Sequence, residues 1–250
     1  VNQRLKLEIA VVGAAGAGIA ADEGADRIEL CSSLEIGGIT PTQGLMEAAV
    51  EAVDQRLEIH ALIRCRPGNF HYSRQELDTM AREAKHLMAQ GASGIVFGVL
   101  TDQGNVDTEA TRRIAEAAKD IHPLAQLTFH RAIDQAQQPL AAIDTLVELG
   151  FDRVLTSGGA PTAGQGLGTL RRMSVRAAGA LEIMAGGGLT INDIPFMRRS
   201  GVVAVHMSAK RIVSTLRAGT ISLGQSDSGD PTAYMTTDRA ILNAARSACQ

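Results

Sequence analysis

Apolar and polar positions in this chain fall into two alternating kinds of block. Short β-rich runs begin with KLEIAV from Lys6, RIELCS from Arg27, EIHALIRCR from Glu58 and GIVFGVLT from Gly94. They continue with LAQLTFHR from Leu124, RVLTSGG from Arg153, LEIMAGGG from Leu181 and VAVHMSAK from Val203. Between them lie longer alanine-rich stretches with helical spacing, the clearest being Ser73 to Gln90, Asp107 to Asp120, Gln138 to Leu149 and Gly166 to Ala178. Gly91, Gly150 and Gly201 stand where helices should stop. Eight strand-plus-helix units in 250 residues predict an α/β fold, a TIM (β/α)8 barrel, because a doubly wound sheet has fewer strands and a switch point. No linker or charge block divides the chain, so a single domain over 1–250 is expected, with the barrel at about 5–210. In the tail, 211–250, GTISLGQSDSGDPT is polar and turn-rich and ILNAARSA predicts a last short helix; the tail is expected to be a lid or an oligomer contact.

Strand residues alternate between the barrel interior and the helix layer, so parity predicts which polar side chains can meet. Glu8, Glu29, Cys31, His60, Arg64, Arg66, Thr128, His130, Ser157, His206 and Ser208 all fall on the inward side. Each has a structural alternative: Glu29 with Arg64 could simply be a buried ion pair, and His60, low on its strand, reads as a hydrogen-bonded core residue. His130 differs, because FHRAID puts it beside Arg131 and before Asp134 at a strand's carboxyl end, where this architecture carries its sites. Adjacent residues on a strand face opposite ways, so Arg131 is expected to turn outward and pair with Asp134. His130→Ala is accordingly expected to abolish ligand binding at little cost in stability. Gly186, Gly187 and Gly188 after the seventh strand, Gly158 and Gly159 after the sixth, and Ser208 after the eighth suit an anion cradle of main-chain N–H groups, or equally plain tight turns.

Net charge of -3 gives no case for nucleic acid or an anionic membrane as partner. No apolar run is long enough to span a bilayer, VNQRLKLEIAV lacks a signal-peptide pattern, and a cytoplasmic protein is expected. Cys31, Cys65 and Cys249 are far apart and without CxxC spacing, which predicts reduced thiols and no sequence-local zinc site. Glu8, Glu29, Cys31, His130 and His206 are acceptable ligand types without a preformed motif; Cys31 is the best soft ligand and with Met184 or Met207 would suit a soft ion such as Cu(I), His130 or His206 being the candidate helpers.

The ordered motifs GADRIELCSSLEIGGITPTQG from Gly24, RCRPGNFHYS from Arg64, GIVFGVLTDQGNVD from Gly94, FHRAID from Phe129, RVLTSGG from Arg153, MAGGGLT from Met184 and VHMSAK from Val205 resemble those of the CutC copper-homeostasis family from about Leu7 to Lys210. The resemblance implies a single TIM barrel, a cytoplasmic location, a homo-oligomer (dimer or higher) and copper handling through cysteine-bound Cu(I), with no established enzymatic reaction. The chain departs from the family where Ala10 and Val11 stand in place of a first-strand cysteine, leaving Cys31 without a partner thiol, and where Cys65 interrupts the third-strand motif.

Two functions are therefore carried forward. One is copper homeostasis with copper bound at Cys31. The other is an enzyme or sensor for a small anionic molecule, phosphorylated or not. In that case Arg64 and Arg66 would clamp the anion, Gly186 and Gly187 would cradle it, Glu8, Ser157 and Ser208 would join the lining, and Glu29 or His130 would act as acid or base.

Overall fold

The computed structural model describes residues 4–215, 217, 230 and 232–250. Eight parallel strands close into a barrel in sequence order: β1 (Lys6–Val11), β2 (Arg27–Leu30), β3 (Glu58–Leu62), β4 (Gly94–Phe97), β5 (Gln126–Phe129), β6 (Arg153–Thr156), β7 (Glu182–Gly186) and β8 (Ala204–Met207). The helices α1 (Ala14–Asp22), α2 (Gln43–Val53), α3 (Arg74–Ala89), α4 (Thr108–Lys119), α5 (Pro139–Glu148), α6 (Leu167–Ala177) and α7 (Ile194–Ser200) follow successive strands. Their starts obey local chemistry. Ser73 forms a capping box with Glu76 at the head of α3, Asp107 accepts from the Ala110 N–H at α4, and Pro139 opens α5 where its missing N–H costs nothing.

Outward strand residues such as Leu7, Ile9, Ile28, Ile95 and Leu127 are buried against the helices and form the main apolar core. Inward positions are polar at the lower levels, as the registers Glu8↔Arg27 and Glu29↔His60 show.

β8 is followed by an antiparallel hairpin, β9 (Lys210–Val213) with β10 (Tyr234–Thr237), and then by α8 (Arg239–Cys249). That last helix buries Leu242, Ala245 and Cys249, and Cys249 O accepts a hydrogen bond from the Leu5 N–H at the entry to β1. It thereby takes the eighth place in the helix layer. Most of the polar stretch from Gly219 lies outside the described residues.

Two expectations about strand ends need correction. β3 stops at Leu62 and β5 at Phe129, so alternation no longer governs Arg66 or Arg131. At β5 the reason is His130, whose Nδ1 accepts from the Ala132 N–H at 3.2 Å and starts a 3-10 turn over Arg131–Gln135.

Candidate functional site

A cavity of about 640 Å3 opens at the carboxyl ends of the strands. Glu29 and His206 lie at its floor, Arg64, Phe70 and His130 on one wall, and Gly187, Gly188 and Lys210 at the rim. A slightly larger cavity, about 670 Å3, opens at the amino ends beside Arg27, Glu58, Gln126 and Arg153. Its charges neutralise one another: Glu182 lies 3.8 Å from Arg27 and 3.5 Å from Arg153, and Gln126 bridges Glu58 to Arg153. Barrels of this type work at the other end, and there the groups are not all paired.

The floor is a charge relay. Arg27 Nε donates to Glu8 at 2.5 Å, Glu8 meets His206 Nδ1 at 2.7 Å, and His206 Nε2 stands 3.8 Å from Glu29. Burial alone would raise the Glu8 carboxyl, but the Arg27 charge and the His206 contact outweigh it and hold Glu8 well below the carboxylate range. For His206 burial works downward, and the two glutamates overcome it and raise the imidazole. Glu29 has only His206 to favour ionisation, so burial dominates and pushes it up to about 7.

The wall is built by the β3 and β5 ends. Arg64 is buried; its guanidinium donates to the main-chain carbonyls of Ile36, Gly38 and Gly68 and lies beside the Tyr72 hydroxyl, with no carboxylate within 4 Å among the described residues. Its carbon lies 5.4 Å from the Phe70 ring centroid. The His130 ring packs on Phe70 with centroids 4.8 Å apart, and burial, then the Arg64 charge, lower its pKa to about 3. Gly98 makes room for it: a Cβ there would lie 2.6 Å from His130 Nδ1.

Asp134, on the 3-10 turn, accepts from Arg131 Nε (2.8 Å), Thr156 Oγ1 (2.5 Å), Gly159 N (3.0 Å) and both the N–H and hydroxyl of Ser157 (each 3.0 Å). This hub ties the loop after β5 to the loop after β6. Parity treated Asp134 only as a partner for Arg131, because a 3-10 turn leaves no periodic trace in five residues. Arg27 and Arg153 were also missed, although they share inward parity with Glu29 and Ser157.

The structure brings Glu29, Arg64, His130, Gly187, His206 and Ser208 to one cavity. Glu8 sits just beneath it. Ser157 and Gly186 are wall positions: Ser157 is wholly buried on Asp134, and a Cβ on Gly186 would meet Leu155 at 2.6 Å. The predicted alternative of a Glu29 to Arg64 ion pair is not formed. Arg66 stands apart from the lining, its carbon 4.8 Å from the Tyr72 centroid and its guanidinium paired with Glu76, so it is no anion clamp. Arg131 keeps its expected pair with Asp134 yet also lines the cavity, since the strand has already ended. Cys31 is buried in a small apolar cluster with Leu62 and Val96, its Sγ 3.7 Å from Val11 O, and burial pushes its thiol far up.

Closed parallel barrel and alternating helices define a (β/α)8 protein, with a candidate site in the cavity at its mouth. The sequence profile of the CutC family matches residues 5–211, and the chain belongs to that family. A CutC family protein of Treponema denticola is 40% identical over 211 residues, covering 83% of this chain and 82% of the relative. The copper homeostasis protein cutC homolog of Homo sapiens is 36% identical, covering 86% and 78%. Among solved structures, the putative copper homeostasis protein CutC of Streptococcus agalactiae superposes with a TM-score of 0.75 at 27% identity, covering 81% of this chain and 97% of that one.

Proposed function

We propose that the barrel mouth binds a small anionic molecule and carries out acid–base chemistry on it, with Glu29 as the proton-transfer group. The observation that carries this is Glu29 itself, a carboxyl in the cavity lining that makes no hydrogen bond among the described residues and titrates at about 7. Arg64 supports the anionic character of the ligand, being a buried cation without a carboxylate partner among the described residues. Main-chain N–H groups of Gly187 and Gly188 donate no hydrogen bond among the described residues and suit the ligand's charged end. Crystals grown at high phosphate test the reading: phosphate oxygens at the rim glycines and Lys210 support it, and a mouth filled with water alone contradicts it.

Copper handling in the cytoplasm is the second reading, favoured by the human relative's name. The residues do not fit a Cu(I) site in its usual thiolate form. Cys31 has no second thiol, its own is held protonated, and His130 Nδ1 is engaged by the Ala132 N–H. Glu8, Glu29 and His206 offer ligand atoms within 4.8 Å of one another, but Glu8 is already committed to Arg27 and His206, and two of the three donors are hard carboxylates. A Cu(I) titration against a competing chelator is expected to show weak binding, unchanged in Cys31→Ser; tight binding lost in that variant reinstates the thiolate.

A further inference from the structure

Arg131 is a cation that the mouth holds still and leaves open. Its side chain is 42% exposed and lines the cavity, whereas Arg64 is buried and uses its guanidinium inside the wall. One edge of the Arg131 guanidinium is fixed. Nε donates to Asp134 Oδ2 at 2.8 Å and Nη2 to Ser157 Oγ at 3.1 Å, and both partners are buried. Nη1 makes no hydrogen bond among the described residues, so the Nη1–Nη2 edge keeps a donor on each nitrogen for a ligand. Asp134 accepts from four further donors on Thr156, Ser157 and Gly159, which draw its charge away from that open edge.

The flat face of the same guanidinium lies on Gly187. A Cβ built there would stand 2.7 Å from Arg131 Cζ, 2.8 Å from Nη1 and 2.9 Å from Nε, three nearly equal distances that put Gly187 over the plane of the group. Any side chain at Gly187 would displace Arg131. The backbone N–H groups of Gly187 and Gly188, which have no acceptor among the described residues, therefore adjoin the open edge but lie out of its plane. An in-plane pair of N–H donors matches two oxygens on one atom, as in a carboxylate or a phosphate. Further donors out of that plane suit a third oxygen, which a tetrahedral phosphate has and a planar carboxylate lacks. Lys210 at the same rim supplies a second positive charge for a dianion. Below it the cavity of about 640 Å3 continues to Glu29, space that inorganic phosphate alone would not fill.

We propose, on the basis of the anion-binding reading above, that Arg131 is the side chain that grips the ligand and that the ligand is a small phosphate monoester. Two phosphate oxygens meet the Nη1–Nη2 edge, a third accepts from the Gly187 and Gly188 N–H groups, and the organic part points down towards Glu29. Calorimetric titrations at about pH 8, where a monoester is a dianion, test this with inorganic phosphate, glycerol 3-phosphate and glycerate. Both phosphates are expected to bind, and glycerate at least tenfold more weakly than glycerol 3-phosphate. Arg131→Lys keeps the charge and loses the planar fork, so its affinity for both phosphates is expected to fall at least fivefold, with melting curves confirming that the variant is folded. If none of the three binds the wild-type protein, the anion-binding reading and this inference fall together. Glycerate binding as tightly as glycerol 3-phosphate, or inorganic phosphate binding alone, overturns the monoester and leaves anion binding standing. Unchanged phosphate affinity in Arg131→Lys overturns the role of Arg131. Should that variant not fold, wild-type crystals soaked in glycerol 3-phosphate decide: a phosphate oxygen within hydrogen-bond distance of Arg131 Nη1 supports the proposal, and a phosphate elsewhere in the mouth overturns it.

Discussion

At Glu29 the protein keeps a carboxyl where burial disfavours its charge. The folded state binds this proton more tightly than the unfolded chain does, so the group's contribution to stability is full below the ordinary carboxylate pKa and is lost as pH rises towards about 7. Glu29→Gln removes that loss. The variant is expected to match wild type near pH 4.5 and to exceed it by roughly 1–3 kcal/mol at pH 8, a gain in stability at the site where function is predicted to vanish. Thermal melts across pH check this, and a variant less stable than wild type at every pH contradicts it. At His130 the structure revises an expectation from sequence. The ring packs between Phe70 and Phe129 and caps the Ala132 N–H, so His130→Ala is expected to cost roughly 2–4 kcal/mol in a urea titration, and ligand loss in that variant alone is not diagnostic.

At the scale of elements, the strands and helices were legible in the sequence because each strand is a short apolar run closed by a turn and several helices, α2, α3, α4 and α5 among them, have a marked start. Ser73 with Glu76 is such a mark, and Ser73→Ala is expected to lower stability by about 1 kcal/mol with no effect on ligand binding. The strand ends were less legible. Alternation placed Glu29, His130 and His206 correctly, since all three lie where the register still holds or has only just ended. It failed for Arg66 and Arg131, whose directions are set by loop contacts: stacking on Tyr72 in one case, and the Asp134 hub in the other. Such contacts join residues distant in sequence, and no spacing rule reports them. Gly98 is the element-level test of the β5 end. Gly98→Ala puts a methyl group into the His130 ring and is expected to destabilise the protein by roughly 2–4 kcal/mol and weaken phosphate binding, as read from melts and calorimetry.

At the scale of the molecule, the barrel depends on its last helix. α8 covers apolar surface beside α1, α7 and β1, so truncation before Arg239 is expected to leave an insoluble or molten chain, seen as loss of a cooperative melt. A truncated chain that melts cooperatively at the wild-type temperature would show that α8 is dispensable. The two ends also differ in charge pairing: Arg27 and Arg153 face Glu182 at the amino end, whereas Arg64 at the carboxyl end has no carboxylate within 4 Å among the described residues. The function proposed for that end rests on a single carboxyl, Glu29, that burial pushes up. The most direct measurement is a carbon-13 NMR titration of the Glu29 side-chain carboxyl, assigned by comparison with Glu29→Gln. The account predicts a midpoint near pH 7, whereas a midpoint in the ordinary glutamate range, about 4.3, would contradict it.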